Sequence, residues 1–161
     1  CSMRAPDVER PHSWVVREDL ASVREGMPYL YVDAIPVRVD GGGRVTGVGL
    51  LLRASDNGRI AREIVSGRVL FHERIRDALL RHLEKDLGSM ALPQIPASPA
   101  PFTIAEYSPP PGVTAFHAPR QHAVSLAFIV PVAGDCAPQR DALDLAWLCL
   151  LYTSPSPRDR T

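Results

Sequence analysis

The sequence predicts an α/β protein in which a mixed β-sheet carries packed helices. Three observations lead there. The first half alternates strand-like segments with glycine turns, one amphipathic helix follows, and HAVSLAFIVPVAGD reads as a buried central strand. These strands and helices interleave without a regular βαβ period, and no internal repeat is visible. A chain of 161 residues suits one domain with a real core.

Each element has its own signal. SWVVREDLASVREGM, from Ser13 to Met27, spaces Val16, Leu20 and Val23 as a short helical stripe that Pro28 stops. YLYVDAIPVRVD reads as a strand rich in β-branched and aromatic residues. Gly41, Gly42 and Gly43 then separate it from RVTGVGLLLRAS. A glycine triplet can cradle phosphate, but no helix follows this one, so it predicts a hairpin turn. Asp56-Asn57-Gly58 is a second turn, leading into RIAREIV and completing a meander of three strands. A helix should run from about Arg74 to Leu87, with Ile75, Leu79, Leu80, Leu83 and Leu87 as its buried stripe and Gly88 as a left-handed stop. MALPQIPASPAP reads as a stiff surface connection, FTIAEYS as a short strand, and PPPGVTAFHAPRQH as a second loop. DALDLAWL closes the interpretable part.

Composition narrows the function classes. Lys and Arg total 18 and so do Asp and Glu, which argues against a dedicated nucleic-acid or anionic-membrane surface. No apolar run approaches the ~20 residues needed to span a bilayer. CSMRAPDVERPHS lacks the apolar core of a secretory signal. Cys1, Cys136 and Cys149 have neither metal-ligand spacing nor the makings of a disulfide framework, so a reduced cytoplasmic protein is expected. Nothing in the sequence sets the oligomeric state.

The expected layout is a disordered N-terminus over 1–12, a domain over 13–148 and a tail over 149–161. One reverse translation of CLLYTSPSPRD resembles the transposon-end adapter of sequencing libraries, which predicts that the native frame is lost after about Leu148. The other reading of the tail is a Pro/Ser-rich disordered terminus.

The segment GRVLFHERIRDALLRHLEKDLGS carries the chemistry. It resembles the Nudix box, G-x5-E-x7-R-E-U-x-E-E-x-G-U, where U is a bulky apolar residue. Gly67, Glu73, Arg81, Leu83 and Gly88 match, and Asp86 is a conservative change at the last glutamate. His82 and Lys85 replace the other two glutamates, and Ser89 replaces the final apolar residue. The preceding meander, the AFIVPV strand and Trp147 extend the resemblance over roughly Tyr29 to Leu148. It is nearest to an uncharacterised bacterial family of the superfamily with the same degenerate box. The resemblance implies an α/β/α sandwich, with a C-terminal helix after the tryptophan that is expected to be missing here. It also implies a diphosphate-linked nucleoside as ligand and Mg²⁺ held by box carboxylates.

At about 100° per residue, positions 82, 85 and 86 converge on one helix face while Glu84 points away. That face offers His, Lys and Asp. One aspartate is a poor platform for Mg²⁺, and the Lys85 ammonium repels a divalent ion. Lys85 instead meets phosphate as a point charge, or substrate and loop carboxylates complete a weaker metal site. Candidate metal positions are Asp86, the Gly67 carbonyl and His82, the last with Mn²⁺ or Zn²⁺ as well as Mg²⁺ in view. The resemblance makes Glu73 and Arg81 a structural pair, and Asp141 and Asp144 candidates for a base beside Asp86. Arg120 and His122, with His117, offer donors for a diphosphate, and Tyr107 and Phe116 offer rings for a base.

Three functions stay open. The domain binds a phosphate-bearing metabolite with weak or no hydrolysis, or it is a Mg²⁺- or Mn²⁺-dependent diphosphate hydrolase, or it keeps the fold for a structural or partner-binding role. The lost carboxylates and Lys85 favour the first.

Overall fold

The structure is a computed structural model that describes residues 26–55, 57–112, 114, 116–117, 121–139 and 142–150. Residues 1–12 and nearly all of the expected first helix therefore lie outside the described residues, as does the tail beyond Leu150. The strands are β1 (Tyr29–Val39), β2 (Val45–Ala54), β3 (Ile60–Glu63), β4 (Val65–Arg68), β5 (Thr103–Ser108), β6 (Phe116–His117), β7 (Ala123–Pro131) and β8 (Ala142–Cys149). Helix α1 (Ile75–Leu87) runs into a single 3-10 turn, Ser89–Ala91.

These strands form one mixed sheet, as expected. β1 lies parallel to β7 from Tyr29↔Ala123 to Val37↔Pro131, and antiparallel to β2 and β4. β8 flanks β2 antiparallel, with Trp147 opposite Gly49. There Gly49 leaves space for the indole, which also carries the Arg38 guanidinium 4.7 Å above its ring. Helix α1 covers one face of the sheet. No described helix is long and apolar enough to cross a membrane.

The two glycine turns behave as hairpin connections. The Asp40 carboxylate accepts from the amides of Gly42 and Arg44 at 2.9 Å each, and Gly43 takes a φ of 81° that glycine adopts at little cost. Gly58, at φ 75°, turns β2 into β3.

RIAREIV departs from the meander in a way that shapes the molecule. It is two strands: β3 pairs with β2, and after Ile64 the chain switches so that β4 pairs with β1. β2 uses one edge for β8 and the other for both β1 and β3, so β1 and β2 are paired only at Val37–Val39 and then fork. Residues 60–68 fill the fork. The second loop also contains an unforeseen strand, β6, parallel to β5 through Tyr107↔Phe116.

The core lies between the sheet and α1. Val32, Ala34, Leu51, Val65, Phe128 and Val130 meet Ala78, Leu79, Leu83 and Leu87 of the helix. Burying a leucine of this kind is worth about 1.5–3 kcal/mol as an upper estimate. The helical stripe is shifted from the expected one: Ile75 and Leu80 are only half-buried, while His82 and Asp86 are buried. Polar groups on β2 and β4 receive them. Gly88 does end the helix, and its amide still bonds to the Glu84 carbonyl at 2.9 Å. Its φ of 85° and ψ of 163° are not the left-handed conformation expected, because the chain turns straight into Ser89–Ala91. Such a φ/ψ pair is essentially reserved for glycine.

The Pro-rich connection is a strap more than a spacer. Gln94 donates its amide to the Pro131 carbonyl at 2.8 Å, and Ile95 packs on the core beside α1. At the far end β8 runs through Cys149, and the Leu150 amide bonds to Thr46, so the sheet continues past Leu148.

Candidate functional site

The loop before α1 is held by the pair that the box spacing suggested. Arg81 donates from Nε to Glu73 Oε1 at 2.7 Å and from Nη2 to Oε2 at 2.9 Å. Glu73 Oε2 also accepts from the Leu70 amide at 2.9 Å, and Arg81 donates to the Arg68 carbonyl. One carboxylate thus fastens the helix to the loop that delivers it. The Arg81 hydrogen bond holds the Glu73 carboxyl below its usual range, and the same contact raises Arg81.

His82 is 5% exposed and lies flat against β4. Its Nε2 is 2.9 Å from the Arg68 carbonyl, which only accepts, so Nε2 carries the proton. Nδ1 is then a bare lone pair, buried and without a hydrogen-bond partner among the described residues. Burial pushes this imidazole down in pKa, with the Arg81 and Lys85 cations adding to the effect against the Arg68 bond and the Asp86 charge. The ring fits because residue 67 is glycine: a Cβ there would overlap Cε1, Nδ1 and Nε2.

Asp86 is 2% exposed, and its Oδ1 faces two cations. Arg53 Nη2 stands 3.2 Å from its Oδ1 and Lys85 Nζ 3.7 Å from the same oxygen. Arg53 also reaches Glu63 Oε2 through Nε at 3.0 Å. Two cations and two carboxylates therefore form a charge-balanced cluster between α1, β2 and β3. A divalent ion on Asp86 would lie a few ångströms from a guanidinium and an ammonium, a repulsion of several kcal/mol at an effective dielectric of about 20. Among the described residues no three His, Cys, Asp or Glu side chains are grouped to hold a metal. This donor set does not fit Mg²⁺ or Mn²⁺.

On the other face of the sheet the fork opens a groove. Its inner part, about 160 Å³, is lined by Tyr31, Asp33, Ser66, Tyr107, Gln121, Ala123 and Ser125. An adjoining part of about 380 Å³ shares Asp33, Ser66 and Tyr107 and continues past Leu50, Arg62 and Ile64 to Glu63. Glu63 lines this part of the groove, while its carboxylate pairs with Arg53 on the α1 side of the sheet. Arg62 is exposed there and makes no ion pair with a described residue. Inside, Ser66 donates to Asp33 Oδ1 at 2.5 Å, and Gln121 donates to the Tyr31 hydroxyl at 3.0 Å. Tyr107 stays a phenol to higher pH than usual, through burial first and the Asp33 charge second.

The remaining candidates are scattered. Asp144 is exposed on β8, opposite Leu52, and accepts from the Leu145 amide at 2.7 Å. Its neighbour Leu145 packs on the core beneath α1, so strand alternation turns Asp144 to the face away from Asp86. His122 is exposed beside the groove residue Gln121. Asp141 and Arg120 lie outside the described residues, and the side chains of Phe116 and His117 are not described. Glu84 is exposed. The sequence reading missed Asp33, Arg53, Arg62, Glu63, Ser66 and Ser125. A carboxylate inside YLYVDAIPV and a serine inside HAVSLAFIV were visible signals, since a polar residue in an apolar strand needs a partner.

Comparison with known proteins places these features. The family described as Domain of unknown function (DUF4916) matches residues 10–154. A possible asymmetric diadenosine tetraphosphate (Ap4A) hydrolase from Jonesia denitrificans DSM 20603 is 64% identical, with 77% of this chain and 78% of that one covered and a TM-score of 0.74. A MutT/nudix family protein from Enterococcus faecalis shares the fold at 15% identity, TM-score 0.55, covering 84% of this chain and 57% of that one. The NUDIX domain of Shewanella oneidensis NrtR, solved with ADP ribose, shares it at 16% identity, TM-score 0.53, covering 77% and 74%. No curated protein matches the chain.

Proposed function

We propose that this chain, which belongs to the DUF4916 family and is related to the Nudix superfamily, binds a phosphate-bearing metabolite of nucleoside-diphosphate type and hydrolyses it weakly or not at all. The observation that carries this reading is the state of Asp86. The one carboxylate kept at the box's metal-binding positions is neutralised by Arg53 and Lys85. A phosphate needs cations with spare donors, and one stands along the groove while another lies on the α1 side of the sheet. Arg62 is exposed at the outer part of the groove, and Lys85 is half-buried beside Asp86. An arginine meets phosphate through a fork of N–H donors and a lysine as a point charge. No step of this reading passes through a metal. Hydrolysis also needs a base poised on water, and Asp86 and Glu63 are both occupied as ion-pair acceptors.

The competing reading is a diphosphate hydrolase, favoured by the 64% identity to a possible Ap4A hydrolase. One experiment separates the two. Ap4A, ADP-ribose and nucleotide sugars are each tested for thermal stabilisation and for phosphate release, with and without Mg²⁺ or Mn²⁺. The binding reading expects at least one compound to stabilise the fold, by about 2.7 kcal/mol at a hundredfold excess over Kd. It expects release no faster than in Asp86→Ala. Turnover that vanishes in Asp86→Ala would make the protein a hydrolase.

A further inference from the structure

We infer that the inner groove, on the sheet face away from α1, holds the uncharged part of the ligand through two adjacent hydrogen-bond donors that meet the Asp33 carboxylate. This rests on the reading of the ligand as a nucleotide and adds which end of it goes where. Asp33 is 7% exposed and sits midway along β1 among apolar residues. Its Oδ1 accepts from Ser66, and Oδ2 has no hydrogen bond with a described residue. No described cation pairs with it, so the groove is acidic and rejects phosphate. Ser125 gives the second, independent sign. It is 2% exposed, lines the same space opposite Tyr31, and its Oγ has no hydrogen-bond partner among the described residues. A buried hydroxyl left unpaired costs about 1–3 kcal/mol, which a bound ligand would recover.

The chemistry defines the guest. A carboxylate with a free oxygen takes paired N–H or O–H donors in a fork, and the Ser125 hydroxyl completes a third contact. Tyr31 and Tyr107 supply ring surface on either side, and about 160 Å³ admits a purine or a pentose. Within a nucleotide, two groups carry such a donor pair: the N1–H and amino edge of guanine, and the 2′,3′-diol of ribose. Either orientation leaves the phosphates to run along the outer groove toward the Arg62 cation.

Phosphate-free nucleosides test this apart from the phosphate reading. Guanosine, adenosine and their 2′,3′-dideoxy forms would be titrated calorimetrically into the full chain and into Asp33→Asn. Loss of binding on removing the diol assigns the ribose, and loss on exchanging guanine for adenine assigns the base edge. In either case Asp33→Asn should weaken binding about ten- to a hundredfold. If Asp33→Asn does not fold, Ser125→Ala takes its place, because removing an unpartnered hydroxyl should leave the melting temperature unchanged or higher while weakening the nucleoside. The inference is overturned if all four compounds bind alike, if none binds the folded chain, or if the substitution leaves affinity unchanged. None of these results depends on whether Arg62 and Lys85 hold phosphate.

Discussion

Gly67→Ala is the most searching single substitution for this account of the box. In the family resemblance Gly67 is a place where a backbone carbonyl meets a metal, but here the glycine makes room for a histidine. An added methyl would overlap three ring atoms of His82, and both partners sit on regular elements, β4 and α1. The ring must then move by more than about an ångström to regain van der Waals separation. That breaks the 2.9 Å bond from Nε2 to the Arg68 carbonyl. Overpacking costs about 1–3 kcal/mol and a buried donor left unpaired about 1–3 more, so Gly67→Ala should lose about 2–5 kcal/mol. Urea denaturation of the wild type, Gly67→Ala, His82→Ala and the double variant measures this. The double variant should be more stable than the sum of single losses implies, with a coupling of at least about 1.5 kcal/mol. A loss under about 0.5 kcal/mol, or strict additivity, would refute the ring-on-glycine argument.

Three further outcomes follow from the same geometry. Glu73→Ala should cost about 1–2 kcal/mol, a figure kept low because Arg81 is 39% exposed, and chemical denaturation checks it. The Glu73 pKa lies below its ordinary 4.5 in the folded state, so its contribution is present above that pH and fades as pH falls through the folded value. His82 is depressed below 6.5, so the unfolded chain binds the proton first: stability is full above about pH 6.5 and declines toward the folded value, and His82→Gln should flatten a melting-temperature profile between about pH 7 and 5. Where any metal-dependent phosphate release is detected, Asp86→Ala should abolish it and Glu84→Ala should leave it nearly intact, since Glu84 is exposed on the opposite side of α1. A Glu84→Ala enzyme without activity would overturn the helix phase.

Local signals carried much of the architecture. Enrichment in β-branched and aromatic residues and the glycine turns determined β1, β2 and the hairpin between them, because such turns are made by neighbouring residues and their own side chains. The spacing of Glu73 and Arg81 spans one helix start, so the pair was legible for the same reason. Periodicity also put Glu84 in solvent, yet it could not tell that His82 and Asp86 would be buried. Their partners, the Arg68 carbonyl and Arg53, come from β4 and β2, and nothing near them in the chain announces that meeting. The groove depended still more on tertiary structure. RIAREIV reads as one strand, and only the divergence of β1 from β2 splits it at Ile64. Ser66 and Asp33 are 33 residues apart, as are Arg53 and Asp86. Alternation assigns a side chain to a face of its strand, but which strands become neighbours is decided by packing the whole sheet against α1, and the acidic pocket exists only once that choice is made.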